Sequence, residues 1–155
     1  MNTTFAPRGI VQIDDAKIIY RNFSGAATKF NREGDRNFAI MIPDNETADA
    51  FVKEGWNIKV KTRGADDDPF MFLPVKVKFN GNSPRVYLRT GSRRNRLDEE
   101  SICCLDDIDI ERVDLDIRPY DWEVNGKHGR TAYLQGAEIF QRLDRFTARF
   151  EEEME

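Results

Sequence analysis

Apolar side chains in this chain recur at every second residue, in short runs that end at glycine, proline, asparagine or aspartate. That period is the pleat of a β-strand with one buried and one wet face. Trp56, Ile58 and Val60 alternate with Asn57, Lys59 and Lys61. Val75, Val77 and Phe79 alternate with Lys76 and Lys78, and Val113, Leu115 and Ile117 alternate with Asp114 and Asp116. Segments 9–13, 16–20, 35–42 and 85–89 are rich in β-branched and aromatic residues and read as further strands. The phase slips near Glu111-Arg112, which predicts a bulge. Asn125-Gly126, between apolar runs at 120–124 and 131–134, is a strong hairpin signal, and the second strand can continue to Phe140.

Helix signals are sparse. Asp44 or Asn45 can cap a short helix in which Ala48, Phe51 and Val52 fall at i, i+3 and i+4, with Gly55 suited to the exit. A second short helix is expected from Asp98-Glu99-Glu100 through Leu105, whereas 90–96 reads as a basic loop. The fold class is therefore mainly β: a small barrel of about five to seven strands with one or two short helices, since closure removes sheet edges. A two-sheet sandwich meets the same periodicity. Residues 1–143 are expected to form one domain, and residues 144–155 an acidic, flexible tail.

The net charge of −4 hides an asymmetry. Residues 1–97 carry 17 basic and 11 acidic side chains, while residues 98–155 carry 7 and 17. Glu151, Glu152, Glu153 and Glu155 account for the whole net charge, so the body is neutral and its first two thirds are basic. No apolar run approaches the ~20 residues of a membrane span, and the first ten residues lack the apolar stretch of a signal peptide. Adjacent Cys103 and Cys104 offer neither a disulfide framework nor zinc spacing. A cytoplasmic, reducing location and no membrane partner are the expectation.

Two stretches combine cations with rings. Residues 20–38 hold Tyr20, Phe23, Phe30 and Phe38 among Arg21, Lys29, Arg32 and Arg36, around a small, flexible 24–28 insert. Residues 85–96 hold five arginines and no acid: Arg85, Arg89, Arg93, Arg94 and Arg96, with Tyr87 on the face shared by Arg85 and Arg89. Single-stranded nucleic acid requires flat rings for base stacking and cations for phosphates, and arginine suits both tasks. The bland alternatives are that the phenylalanines are core and the arginines pair with nearby carboxylates such as Glu33, Asp35 and 98–100. The carboxylates at 106–116, the two cysteines and the single His128 form no catalytic or metal motif, and phosphate-cradling glycine motifs are absent. No enzyme, cofactor or metal is expected.

The segments Arg21-Asn22-Phe23-Ser24-Gly25 and 29–38 (KFNREGDRNF), with 118–127 (RPYDWEVNGK) running into Ala132-Tyr133-Leu134, resemble a family of small bacteriophage and prophage proteins. Its members are assigned as single-stranded DNA-binding proteins of OB-fold type. The resemblance covers nearly the whole chain up to the tail. It implies an OB-like barrel that coats single-stranded DNA in phage replication or recombination, within the host cytoplasm. Stacking is then expected from Tyr20, Phe23, Phe30, Tyr87 and Trp122, and phosphate contacts from Arg21, Lys29, Arg32, Arg36, Arg89, Arg93, Arg94 and Arg96. RNA and a homo-oligomer stay open as partners. Phe150, Glu151, Glu152, Glu153 and Glu155 are expected to compete with DNA for these arginines or to recruit replication or recombination proteins. Tails of this kind often end in an aromatic residue; here Phe150 precedes the acids. The helix placed after the second strand and the excess of strands also depart from a simple OB-fold. A β-rich phage structural or adaptor protein is the alternative.

Overall fold

The period-two runs become strands that turn one apolar parity inward. The computed structural model describes residues 1–62, 64 and 69–146. Its strands are β1 (Asn2–Phe5), β2 (Val11–Asn22), β3 (Arg36–Ile42), β4 (Lys59–Lys61), β5 (Phe70–Val77), β6 (Arg85–Thr90), β7 (Arg93–Leu97), β8 (Ile110–Val124) and β9 (Lys127–Gln141). The α-helix α1 (Asn45–Lys53) follows β3, and 3-10 turns occupy Pro7–Gly9 and Ile102–Asp106.

Five strands close on themselves. β2 pairs with β3, β3 with β5, β9 with β8 and β8 with β2, all antiparallel. The ring is completed by a parallel pairing of β5 with β9, at Val75 with Ala132 and Lys76 with Tyr133. This is the expected OB-like barrel, in which β2, β3, β5, β8 and β9 are the first to fifth barrel strands. β1 is added to β2, β4 to β5, and the β6–β7 hairpin to β9. Ile13, Phe38, Ile40, Leu73, Val75, Val77, Val113, Leu115, Ile117, Ala132, Leu134 and Ile139 fill the interior. The α1 side chain Phe51 is buried in edge contact with Phe5 and Trp56. Among the described residues no helix is long and apolar enough to cross a membrane.

Segments 9–13 and 16–20 prove to be one strand. Asp15 takes a left-handed φ of 55° and its amide donates to Asp114 Oδ1 at 2.9 Å, where the register shifts. The extra residue moves the inward parity from Val11 and Ile13 to Ala16 and Ile18. The predicted slip near Glu111-Arg112 is present as a register shift between Ile110 and Arg112. Asn125 and Gly126, at φ 51° and 78°, make a two-residue turn whose twist matches the long β8–β9 arm.

Two local expectations change. The basic loop at 90–96 is largely strand β7; its arginines are solvated on both faces, so no alternation announced it until Leu97 turns inward. The helix expected from Asp98 is a capped turn leading into the 3-10 segment, with Asp98 accepting from the amides of Glu100 and Ser101.

Phe23 lies just past the second β2 bulge and is 1% exposed, stacked on Phe38 with ring centroids 5.2 Å apart. Burial of its ring contradicts its expected stacking role: it presents no face to a base. Phe23→Ala should lower the unfolding free energy by about 3–5 kcal/mol in a urea titration, as large-to-small core changes do.

Candidate nucleic-acid interface

The inward parity of β3 and β5 fixes what faces out. On β5 the outward set is Phe70, Phe72, Pro74 and Lys76, opposite buried Leu73, Val75 and Val77. The register places Lys61 beside Phe70, Lys59 and Met41 beside Phe72, and Ala39 beside Pro74. From β2, Tyr20 leans over this row. Its ring centroid is 5.5 Å from Phe72 and 6.5 Å from Phe70, and Lys61 Nζ sits 5.3 Å from the Tyr20 ring. Tyr20 holds φ 53° at the second β2 bulge, a left-handed backbone costing about 1–2 kcal/mol in a non-glycine residue. Its side chain is nonetheless 48% exposed.

The barrel closure carries the row onto the arm. Lys76 is the register partner of Tyr133, which meets Tyr120 edge-on at 5.9 Å. Lys78 Nζ and the Arg118 guanidinium lie 5.6 and 5.5 Å from the Tyr133 ring. Further along the arm Trp122, 38% exposed, lies flat against Gly129. Between arm and sheet runs a groove of about 590 Å³ with Trp56, Lys59, Pro74, Lys76, Trp122 and Arg130 in its walls. Among the described residues no carboxylate lines it. Arg130 fixes the arm: it forks onto Asp121 at 2.7 and 3.1 Å and donates to the Glu54 carbonyl at the end of α1 at 2.8 Å. The guanidinium holds the Asp121 carboxyl below the usual carboxylate range.

The loop from Ser24 to Asp35 is built, not loose. Asp106 accepts from the amides of Phe23 and Ser24 at 2.7 and 3.0 Å. Asn31 donates to the carbonyls of Ala26 and Asp35, and Gly34 N–H donates to Gly25 O at 2.8 Å. This frame presents Lys29 and Phe30 at its tip, with the Phe30 ring 93% exposed and Lys29 Nζ 5.8 Å from it. Arg32 is exposed on the same loop.

The remaining expected residues divide. Arg21 donates to the carbonyls of Leu105 and Ile108 at 2.7 and 2.8 Å, so its guanidinium holds the 3-10 segment. Arg36 pairs with Glu99 at 3.6 Å and lies over Phe79. Arg89 and Arg94 share Glu138, at 3.1 and 2.9 Å, and Arg94 stacks on Tyr87 at 3.7 Å. Tyr87 thus already has a guanidinium on its ring. Arg93 and Arg96 are exposed. Tyr20 and Trp122 join the aromatic face, whereas the Tyr87 cluster sits apart, outside β9.

The candidate face also brings in Lys59, Lys61, Phe70, Phe72, Lys76, Lys78, Tyr120, Arg118 and Tyr133, none of which the sequence pattern singles out as candidates. Parity was the available signal: Phe70 and Phe72 share the outward phase of Lys76 and Lys78. A Cβ on Gly129 would lie 2.6 Å from Trp122 Cζ2. Gly129→Ala should therefore displace the ring and shift the tryptophan emission maximum, with the urea midpoint nearly unchanged because both residues lie on the solvated arm.

Comparison with known proteins agrees with this architecture. No curated protein matches the sequence at a significant level. Several solved structures do resemble the fold. One is the single-stranded DNA-binding protein from bacteriophage Enc34 in complex with ssDNA, at 13% identity, TM-score 0.61, over 94% of this chain and 93% of that one. A further structure of the single-stranded DNA-binding protein from bacteriophage Enc34 gives 14% identity and TM-score 0.57, over 94% of this chain and 88% of that one. Its C-terminal truncation gives 13% identity and TM-score 0.55, over 92% of each chain. At such identity these likenesses establish the barrel alone. The family comparison reaches further: residues 3–153 match the profile described as "Putative phage ssDNA-binding domain". With a match over nearly its entire length, the chain belongs to the phage single-stranded DNA-binding domain family.

Proposed function

We propose that the chain binds single-stranded DNA, with little sequence preference and without catalysis, across the outer face of β5 and the inner side of the β8–β9 arm. The observation that carries this reading is the unbroken row Tyr20, Phe70, Phe72, Lys76, Tyr133 and Tyr120, edged by Lys59, Lys61, Lys78 and Arg118. Rings supply sequence-tolerant stacking and the flanking cations take phosphates. OB-folds use the outer face of their second and third strands with the loops joining strands one to two and four to five. Here those are β3, β5, the 24–35 loop and the arm tip. Phe30, exposed on a hydrogen-bonded loop, and Trp122 on the arm would serve as clamps on the strand.

The strained Tyr20 supports the same reading. A left-handed, half-exposed tyrosine is retained where its ring position matters more than local backbone energy. Lys29 and Arg32 extend the positive rim of this face, whereas Arg93 and Arg96 stand outside it on the β6–β7 hairpin; Arg21, Arg36, Arg89 and Arg94 act first as internal props. A role in phage replication or recombination follows from coating exposed strands. The tail residues Phe150, Glu151, Glu152, Glu153 and Glu155 lie outside the described residues. Their charge suits competition with DNA for the basic rim, or capture by a replication protein.

Fluorescence titration with a labelled oligo-dT tests the reading. Phe72→Ala should weaken binding about 5- to 150-fold, the equivalent of one lost stack. Lys76→Ala should reduce the slope of log K against log salt by about 0.7. Removing residues 151–155 should tighten binding at low salt. Salt-independent binding, or unchanged affinity in both face variants, would contradict the proposed path.

A further inference from the structure

The arginine-rich stretch divides into a neutralised and an unpaired half. Arg89 and Arg94 are neutralised by Glu138, but Arg85 and Arg96 are exposed and join no ion pair among the described residues. They line a trough of about 790 Å³ together with Arg118 and Asp116 from β8. Topology builds the trough. Arg85 on β6 and Asp116 on β8 flank Gly136 of β9 in one register row, so the middle of the row carries no side chain. A Cβ at Gly136 would press on the Arg85 carbonyl at 3.3 Å. Arg96 reaches in from β7. Arg118 forms the border with the aromatic face: it donates to the Asn82 carbonyl at 3.2 Å and its guanidinium lies 5.5 Å from the Tyr133 ring.

We propose that this trough is a second phosphate track, along which a single strand continues after leaving the barrel face past Tyr133. It rests on the binding mode above and adds a longer occluded length, set by the β6–β7 hairpin that the five-stranded barrel does not need. Three guanidiniums facing one carboxylate leave an excess positive charge with no internal partner, and a bare glycine floor lets a sugar-phosphate backbone approach closely. The floor offers no ring, so the track holds phosphates and leaves the bases unstacked. Burial, and then Asp14, raise the Asp116 carboxyl above its ordinary value.

The test compares the parent with Arg85→Ala/Arg96→Ala, two solvated positions, using a short oligo-dT that covers only the barrel face and long poly(dT). The double variant should keep its affinity for the short oligonucleotide. On poly(dT) it should lose about 1.4 from the salt slope, two phosphate contacts at about 0.7 each, and occlude fewer nucleotides. Asp116→Asn should tighten poly(dT) binding. An unchanged slope and occluded length on poly(dT) would overturn the second track while leaving the barrel-face reading intact. So would a double variant that changes self-association in sedimentation without DNA and leaves the slope unaltered, which would assign the trough to an acidic segment of another copy. Absence of parent binding to either DNA would instead overturn the barrel-face reading on which the track depends.

Discussion

Two register pairs, Val75 with Ala132 and Lys76 with Tyr133, turn an open sheet into a barrel. They do so with parallel geometry, between strands separated by the β6–β7 hairpin, the 3-10 segment and β8. Inward, the first pair seals the core by bringing Val75 and Ala132 together, both buried. Outward, the second pair sets a lysine beside a tyrosine and so joins the aromatic row of β2 and β5 to that of the arm. Without closure β5 and β9 would lie at opposite ends of the barrel-strand order, and the Lys76–Tyr133 junction between the two rows would not exist. Core and candidate interface thus share one joint, seen from its two sides.

The surface around that joint divides its charges by function. Cations along the row border rings, Lys61 by Tyr20 and Lys78 and Arg118 by Tyr133, and none of the three joins an ion pair among the described residues. Cations elsewhere are committed to the fold. Arg21 binds backbone carbonyls, Arg130 locks the arm to α1, and Arg89 and Arg94 close on Glu138. The acidic last third is used similarly. Asp106 anchors the 24–35 loop and Asp114 secures the Asp15 bulge, so these carboxylates of the 106–116 stretch serve as acceptors for backbone amides.

Strand existence and parity were legible because each barrel strand buries one face against a single core. The bulge near Glu111, the helix over 45–53 and the Asn125-Gly126 turn were legible for equally local reasons. The site was legible only in part. Tyr20, Trp122 and Phe30 reach the surface, which leaves their rings open for the stacking expected of them. Phe23 is core because the bulge at Tyr20 resets parity, a shift of one residue that periodicity in 20–38 does not reveal. Tyr87 has the right neighbours in sequence but its ring is taken by Arg94, a cross-strand contact that depends on 93–97 being a strand. Phe70, Phe72 and Tyr133 were hidden for the opposite reason: each lies beside an apolar run and reads as core until the register assigns it outward.

Photocrosslinking with an iodouracil-substituted oligonucleotide, followed by peptide mapping, reports directly which rings lie against bases. A strand on the β5 face and the arm predicts crosslinks at Tyr20, Phe72, Tyr133 and Trp122, diminished by salt. Crosslinks confined to Tyr87 and Phe140, with the β5 face silent, would contradict it.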